Sequence, residues 1–391
     1  MAVIKKLTFD NVLRKAIYKN RNALYDLTPP EGLVGRIQER NDLVMELSPI
    51  LLGSPVSSIF VYGTPGTGKT GLATEVCNEL QKEADKHSIE LHKIYINCSE
   101  NRTEYAVLTE LLAQLSNTDV PRTGWSTKKV LATIKSTLSN TANVLVVLDE
   151  VDYILRESGD DILYWLSRIN TSAKSKLSTI VISNDVRVYD YLTPRTNSSF
   201  GRVKIIFSAY TSEDLSDILE ARAKAAFLPK SISRTVLARI ADIEAERGGD
   251  ARKALELMDA CAKIALAQGK KTITLDTVDK ADKYLEQDTL VKRLMGLTKH
   301  QKVLYLALLK SKANSLGPQI YLDYVKECKS FKLSALSERR IRSFLVFFHE
   351  LGLIHTEVGW VADLKKKSRK ITLTLDNAIK IKIRKKVRDS I

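Results

Sequence analysis

The chain has 391 residues, of which 44% are hydrophobic and 27% are charged. This composition is typical of globular proteins, and the length exceeds what one core usually supports, so we expect two or three domains. No apolar run approaches the roughly 18 residues of a membrane span, and the first residues do not resemble a secretory signal. The four cysteines are widely spaced without a CxxC pair, which argues against a zinc ribbon or a disulfide framework and favours an intracellular setting.

The net charge of +15 is concentrated at one end of the chain. Residues 295–391 contain 21 basic and 8 acidic residues, whereas the other 294 residues contain 40 and 38. A strongly basic final quarter after a nearly neutral body indicates a nucleic-acid-binding module. The alternative is a solvated basic face that only improves solubility.

In chain order, an N-terminal arm and a helix are followed by short β-branched runs that alternate with helical patterns. Continuous apolar strands separated by helices are typical of a parallel sheet covered on both faces. The first part of the chain is therefore expected to be α/β. The predicted strands are 58–62, 94–97, 144–148, 179–182 and 203–207, with helices such as 71–86 and 104–116 between them.

Beyond about residue 211 the pattern becomes purely helical. Ser212, Asp250 and Asp276 stand where helix N-caps belong, which predicts a small all-α domain. The predicted helices are 212–227, 233–246, 250–268 and 276–287.

The last part of the chain has a different order of elements. Three helical stretches precede candidate strands at 353–358 and 371–375, with a lysine-rich loop between the strands. This order is that of a winged helix-turn-helix. We therefore expect domains at 1–209, 210–294 and 295–391.

A complete GxxxxGK[ST] phosphate-binding loop follows the strand that ends at Tyr62 and opens the next helix. Glycines allow backbone amides to surround phosphates, and the helix N-terminus adds a favourable dipole. Lys69 is expected to reach the β- and γ-phosphates, and the Thr70 hydroxyl to bind Mg²⁺. The candidate nucleotide-binding residues are Gly63, Thr64, Pro65, Gly66, Thr67, Gly68, Lys69, Thr70 and Gly71.

Two adjacent carboxylates end the buried strand at 144–148. Asp149 is expected to lie near the metal, directly or through water. Glu150 is expected to orient and polarise an attacking water. The pair would otherwise be an exposed acidic turn, an interpretation that the phosphate loop disfavours.

This Asp-Glu pair resembles that of AAA+ ATPases. The segment around Asn184 resembles the sensor-1 strand, and residues 247–255 resemble sensor 2, with Arg252 contacting the γ-phosphate. Residues 97–108 and 120–126 resemble the archaeal replication initiators related to the eukaryotic origin recognition complex and its cell-division-cycle loader. The likeness covers nearly the whole chain.

The resemblance implies a bound ATP or ADP with Mg²⁺ and weak ATPase activity. It implies an adenine pocket at Leu33, Val34 and Arg36, of which Arg36 fits the family pattern best. It also implies an arginine finger at Arg195, with Arg202 as a weaker candidate, and therefore assembly with other initiator subunits. A cytoplasmic, nucleoid-associated location follows.

Three segments are candidates for DNA binding. The polar face of the predicted recognition helix at 337–350 can reach the major groove, and the lysine-rich loop between the last strands suits phosphates or the minor groove. An insertion in the ATPase domain matches the family's second DNA contact, and two contacts would bend the duplex between them. The residues are Arg339, Arg340, Arg342 and Ser343; Lys365, Lys366, Lys367, Arg369 and Lys370; and Pro121, Arg122, Thr123, Gly124 and Trp125. The basic tail at 380–388 is either a further phosphate contact or disordered.

The leading interpretation is an ATP-dependent initiator that binds duplex origin DNA and helps to recruit the replicative helicase. One alternative is a DNA-binding regulator that holds nucleotide, turns it over little and represses origins or promoters. A clamp-loader or helicase-type motor is disfavoured by the basic C-terminal domain.

Overall fold

The computed structural model describes residues 17–26, 32–56, 58–116, 124–139, 141, 143–173, 176–200, 203–311, 315–361, 366–373, 375 and 377–391. The contacts divide the chain into two compact units, Met1–Val278 and Asp279–Ile391. Among the described residues, no helix combines the length and the apolar character needed to span a membrane.

A five-stranded parallel sheet forms the centre of the first unit, as the sequence predicted. Its order is β2-β3-β4-β1-β5, and every residue of the neighbouring strands β3 and β4 is buried. Burial on both faces explains why these strands read as continuous apolar runs. The strands are β1 (Ile59–Gly63), β2 (Leu91–Asn97), β3 (Asn143–Asp149), β4 (Leu177–Ser183) and β5 (Val203–Phe207).

The sheet separates two hydrophobic cores, because successive side chains of a strand point to opposite faces. On β3, Val144, Val146 and Leu148 belong to one core, and Leu145 and Val147 belong to the other. Helices cover both faces, so the strand ends are the main part of the sheet left open to a ligand. The helices of this region are α1 (Ile37–Leu47), α2 (Lys69–Lys86), α3 (Glu104–Ser116), α4 (Thr127–Ser139), α5 (Asp152–Ser158), α6 (Asp161–Ala173) and α7 (Pro194–Ser199).

The chain then becomes helical, as expected, in α8 (Ser212–Ala226), α9 (Arg234–Glu246), α10 (Ala251–Ala267) and α11 (Leu275–Met295). Asp250 caps α10 by accepting the backbone amides of Arg252 and Lys253. Thr211, not Ser212, caps α8, because its hydroxyl accepts the Asp214 amide while the Asp214 carboxylate accepts the Thr211 amide. Asp276 lies in the first turn of α11 and not at its N-cap.

The N-terminal arm packs on this helical region through Asp259 of α10. The Asp259 carboxylate is 1% exposed and accepts hydrogen bonds from Tyr18 (2.8 Å), Tyr25 (2.7 Å) and Arg21 (2.9 Å from Nε). Lys263 forms an ion pair with it at 2.6 Å. The arm therefore belongs structurally to a helical region that follows it by about two hundred residues.

The second unit has its own core, centred on Tyr305, Tyr324 and Phe348. Its antiparallel sheet has the order β6-β8-β7. The helix-helix-helix-strand-strand order of the prediction is present, with a short added strand and a final helix. The elements are α12 (Lys299–Lys310), β6 (Ser315–Leu316), α13 (Gly317–Ser330), α14 (Glu338–Glu350), β7 (His355–Val361), β8 (Lys366–Thr372) and α15 (Asn377–Arg388).

The last predicted strand was placed too late, at 371–375. Strand β8 begins at Lys366, which pairs with Val361 in the antiparallel ladder. Ladder hydrogen bonds use backbone groups and do not depend on apolar side chains, so the lysine-rich sequence continues the strand. Lys366, Lys367, Arg369 and Lys370 consequently lie on β8 and not in the connecting loop.

Candidate functional site

The phosphate-binding loop connects β1 to α2, in the strand–loop–helix context that the motif requires. Gly66 and Gly68 have φ angles of 73° and 92°, which favour glycine. A side chain on Gly66 would also collide with the Asp250 carboxylate. The loop is therefore closely packed as well as sharply curved, and the amides at the start of α2 remain available to an anion.

Lys69 is almost fully buried at the start of α2. Its Nζ donates to the carbonyl oxygens of Gly63 (3.0 Å) and Thr64 (2.6 Å), and it lies 3.3 Å from the Thr67 hydroxyl. Burial, together with the positive charge of Arg252, lowers the pKa of Lys69 to about 8. A buried cation beside a second cation is the electrostatic setting in which a polyphosphate is favoured.

Thr70 and Asp149, the predicted metal ligands, lie in direct contact. The Thr70 hydroxyl donates to Oδ2 of Asp149 at 2.8 Å, and Oδ1 accepts the Glu150 amide at 2.8 Å. Tyr95 of β2 donates a second hydrogen bond to Oδ2, at 2.7 Å. Carboxylate and hydroxyl oxygens are hard donors of the kind that Mg²⁺ binds, usually together with phosphate oxygens and water. These residues fit a Mg²⁺–nucleotide complex.

Glu150 follows β3 with a φ angle of 56°, in the left-handed region that residues other than glycine rarely adopt. Such backbone strain often occurs at functional sites. Its side chain is half-exposed and makes no hydrogen bond or ion pair with the described part of the chain. The Glu150 carboxylate thus follows Asp149, the candidate metal ligand, directly in the chain and is available to hydrogen-bond a water.

Asn184 follows β4, the strand next to β3, so both strand ends meet at one edge of the sheet. The backbone amide of Asn184 and the Ser183 hydroxyl both donate to Oδ1 of Asp152, each at 3.1 Å. Asp152 is buried at the start of α5. It therefore fixes the backbone that presents the predicted sensor-1 side chain.

Arg252 is brought to the phosphate loop by the first turn of α10. The Ala251 amide donates to the Gly66 carbonyl at 3.1 Å, which joins the helical region to the loop. Gly249 lies so close to Tyr210 that any side chain would collide with the Tyr210 backbone. The exposed Arg252 is close enough to Lys69 to contribute to its lowered pKa.

Arg36, expected to line an adenine pocket, is buried under the phosphate loop. Its Nε donates to the Thr67 carbonyl at 3.1 Å, and its guanidinium lies 4.0 Å from the Tyr210 ring centroid. Its other donors contact Ser208 and Glu39. The geometry makes Arg36 a support of the loop.

The other two predicted pocket residues precede Arg36. Leu33 packs against the core that contains β1, and its amide donates to Glu75 at 3.1 Å. Val34 is half-buried in the adjoining turn. Both lie on the segment that leads directly into the phosphate-loop support.

Arg195 is not part of the cluster around Lys69. It lies in the first turn of α7, forms an ion pair with Asp161 and is 5.0 Å from the Tyr164 ring centroid. The side chain is about half exposed. The candidate finger is thus exposed at the surface and paired within its own chain. Arg202 lies outside the described residues.

The polar face of α14 matches the sequence expectation. Ile341, Leu345 and Phe348 are buried. Arg339, Arg340, Arg342 and Ser343 are exposed on the opposite face, together with Val346 and Phe347. Arg342 forms an ion pair with Glu338 at 2.7 Å, one turn away.

The other two DNA-binding candidates are described only in part. Lys365 and the insertion residues Pro121, Arg122 and Thr123 lie outside the described residues, while Gly124 is exposed. Trp125 packs at the edge of a core, with the Lys129 ammonium 3.9 Å from its ring centroid. Trp125 thus has a packing role in the free chain.

Comparison with known proteins agrees with this arrangement. The family models for an AAA domain and for a Cdc6 AAA+ ATPase-type lid domain match residues 54–192 and 216–283. The ORC1-type DNA replication protein of Thermococcus kodakarensis is 36% identical over 353 residues, which cover 88% of this chain and 85% of that protein. The corresponding protein of Pyrococcus furiosus is 36% identical, with 90% and 86% covered. The chain belongs to the ORC1-type DNA replication protein family.

Solved structures extend this likeness to the three-dimensional fold of the ORC1-type chain. The Aeropyrum pernix ORC1 protein, solved in complex with DNA, has a TM-score of 0.78 at 28% identity, covering 94% of this chain and 96% of that one. Cdc6p from Pyrobaculum aerophilum has a TM-score of 0.62 at 24% identity, covering 96% and 99%, and shows a shared fold.

Sequence reasoning missed two residues of this ORC1-type site, Tyr95 and Asp152. Tyr95 reaches Asp149 only because β2 and β3 are neighbours, with Asn97 opposite Asp149. Asp152 carried a local signal, since it is the third acid of the Asp149–Asp152 segment. Its burial against Ser183 and Asn184 depends on the contact between β3 and β4.

Proposed function

We propose that this ORC1-type chain is an ATP-dependent replication initiator that binds duplex origin DNA and helps to recruit the replicative helicase. The observation that carries the proposal is the junction of the phosphate loop with α10. There the Ala251 amide donates to the Gly66 carbonyl, and the positive charge of Arg252 is close enough to help lower the pKa of the buried Lys69. A nucleotide at this junction would contact both the sheet and the helical region, so its phosphate state would affect their packing.

The positions of the site residues support the following roles. The loop amides and Lys69 would hold the phosphates of ATP, and Thr70 with Asp149 would hold Mg²⁺. A bound Mg²⁺ would supply charge neutralisation at the phosphates. Glu150 orients the attacking water and accepts its proton, while Asn184 and Arg252 stabilise the γ-phosphate. Leu33 and Val34 pack against the adenine.

We place the DNA-binding surface on the second unit and on the segment around Trp125. Arg339, Arg342 and Ser343 of α14 face solvent, as a winged-helix recognition helix requires. The β7–β8 hairpin supplies the basic wing. The Aeropyrum pernix ORC1 protein was solved in complex with DNA, which supports DNA binding as such by this chain. We further propose that the chain assembles with other initiator subunits and with the replicative helicase. Its proposed location is the cytoplasm, in association with the nucleoid.

One observation favours the regulator as a second candidate. Arg195 is paired with Asp161 of its own chain, so within the described part of the chain this candidate finger is not held at the chain's own nucleotide site. Arginine fingers contribute large factors to nucleotide hydrolysis. The isolated chain is therefore expected to turn over slowly, and a chain that never assembles would hold nucleotide and only occupy DNA.

The deciding experiment compares origin-DNA binding and helicase capture for the wild type with ATP, with ADP and without nucleotide. Glu150→Gln, fixed in the ATP state, serves as the second variant. An initiator captures helicase in one nucleotide state and not in the other. Equal DNA binding and no helicase capture in every state would reject the initiator and leave the regulator.

A further inference from the structure

The basic tail of the chain forms a folded helix, α15, docked on the second unit. Ile383 and Val387 are almost fully buried in the core, and Ile379 packs partly against it. These positions are spaced four residues apart, so one stripe of α15 is fixed to the protein. The helix therefore presents its remaining faces in a defined orientation.

Those remaining faces are strongly cationic. The twelve residues of α15 include six cations and no acid. Arg384, Lys385, Lys386 and Arg388 are exposed, and the first three form no ion pair with the described residues. By contrast, Lys310 and Arg342 of the same unit pair with Glu327 and Glu338. The charge of α15 is consequently not neutralised within the described part of its own unit.

A second element extends this positive surface. The Arg388 guanidinium lies 6.0 Å from the ring centroid of Phe331, at the end of α13. Lys329 and Lys332, on either side of Phe331 in the chain, are exposed. Two exposed cations thus flank, in the chain, the aromatic ring that Arg388 of α15 contacts.

We infer that the exposed face of α15 binds the phosphate backbone of duplex DNA, as a contact separate from α14 and the β7–β8 hairpin. The inference rests on the proposed function and adds a surface to it. A dense set of unneutralised cations on a fixed helix matches a regular polyanion. A lipid surface fits less well, because basic helices that bind membranes insert a continuous apolar face. Here Ile379, Ile383 and Val387 face the core, and Ile381 is the one exposed large apolar residue among the described residues of α15.

Phosphate contacts fix affinity and salt dependence without reading sequence. Each lost contact reduces the slope of log K against log salt by about 0.9. Replacing Arg384, Lys385 and Lys386 by Gln should therefore flatten the slope by about 2–3. Binding to origin and random duplexes should weaken by the same factor, so their ratio stays constant.

The experiment measures the affinity of the full chain for origin and random duplexes at a series of salt concentrations, with fluorescence anisotropy as the readout. Replacing Lys82, Lys86 and Lys271 by Gln removes the same charge from the first unit and should leave the slope at the wild-type value. Thermal unfolding shows whether the α15 variant keeps its fold; if it does not, Lys385→Gln alone is titrated, with an expected change of about 0.9.

The outcomes separate the two levels of the proposal. A wild type that binds neither duplex would reject the proposed function. If the wild type binds both duplexes and the α15 variant keeps the wild-type salt slope, this inference alone is overturned. An equal decrease of the salt slope in the control variant would overturn it as well. If the α15 variant loses binding to phosphatidylglycerol vesicles but keeps the wild-type salt slope for DNA, the exposed face of α15 binds membranes instead.

Discussion

The Tyr95 hydroxyl donates a hydrogen bond of 2.7 Å to Oδ2 of Asp149, the same oxygen that accepts the Thr70 hydroxyl. The other carboxylate oxygen accepts the Glu150 amide. Burial and the Asp149 carboxylate raise the pKa of Tyr95, so its hydroxyl remains a donor at neutral pH. The Asp149 carboxylate is thereby held from three directions before any ligand binds.

Tyr95→Phe should weaken nucleotide binding in the presence of Mg²⁺ by about threefold to tenfold, because one hydrogen bond from this partly exposed tyrosine contributes about 1 kcal/mol. Binding in EDTA should be unchanged, because the tyrosine acts through Asp149. Titration of a fluorescent ATP analogue under the two conditions measures both. Tyr284→Phe, at an exposed position, is the control. Equal losses with and without Mg²⁺ would show that Tyr95 has only a general structural role.

Glu150→Gln should bind ATP with near-wild-type affinity and release phosphate at least a hundredfold more slowly, because the amide cannot accept the proton of water. Phosphate release and analogue binding are measured on the same preparation. Glu157→Gln, on the exposed end of α5, removes a similar charge away from the site. Unchanged turnover in Glu150→Gln would remove this residue from catalysis.

Asp259→Asn should lower the free energy of unfolding by about 2–4 kcal/mol at pH 7, since it removes the charge that the surrounding donors stabilise. Burial raises the pKa of Asp259, but hydrogen bonds from Arg21, Lys263 and the two tyrosines outweigh it and hold the pKa well below its usual range.

A carboxyl with a lowered folded-state pKa stabilises the protein above its unfolded pKa of about 3.9, and this contribution is lost as pH falls further. The difference between wild type and Asp259→Asn should therefore be constant from pH 7 to 5 and shrink below about pH 4. Urea unfolding across this range tests it, with the exposed Asp190→Asn as control. A difference that is the same at pH 3 and pH 7 would contradict the assignment.

Arg342→Ala should narrow the affinity gap between origin and random duplexes by about 1–3 kcal/mol, if the exposed guanidinium reads a base from α14. If Arg342→Ala instead weakens binding to both duplexes equally, the residue positions the helix, and base reading lies at Arg339 or in the insertion.

Replacing Lys365, Lys366 and Lys367 by Ala should weaken binding to both duplexes equally and flatten the slope of log K against log salt by about 2–3.

The sheet and the phosphate loop were predictable because their signals are local. A run such as Val144–Leu148 is apolar throughout, and the spacing of Gly63, Gly68 and Lys69 is diagnostic. The start of β8 was misplaced because Lys366 and Lys367 carry no apolar alternation, and only pairing with β7 makes them a strand.

The roles of Tyr95 and Asp152 could not be predicted from the sequence for a related reason. Their roles arise from the side-by-side arrangement of β2, β3 and β4, which a single segment does not encode. Contacts of this kind require the strand order and register, and neither follows from periodicity.

The anchoring of the arm on Asp259 makes the helical region a discontinuous domain. A fragment that began at Thr211 would leave the Asp259 carboxylate with Lys263 but without Tyr18, Arg21 or Tyr25. Removing partners from a buried charge is strongly destabilising. During synthesis the arm emerges some 240 residues before its carboxylate partner, so this region completes its folding only after α10 has left the ribosome.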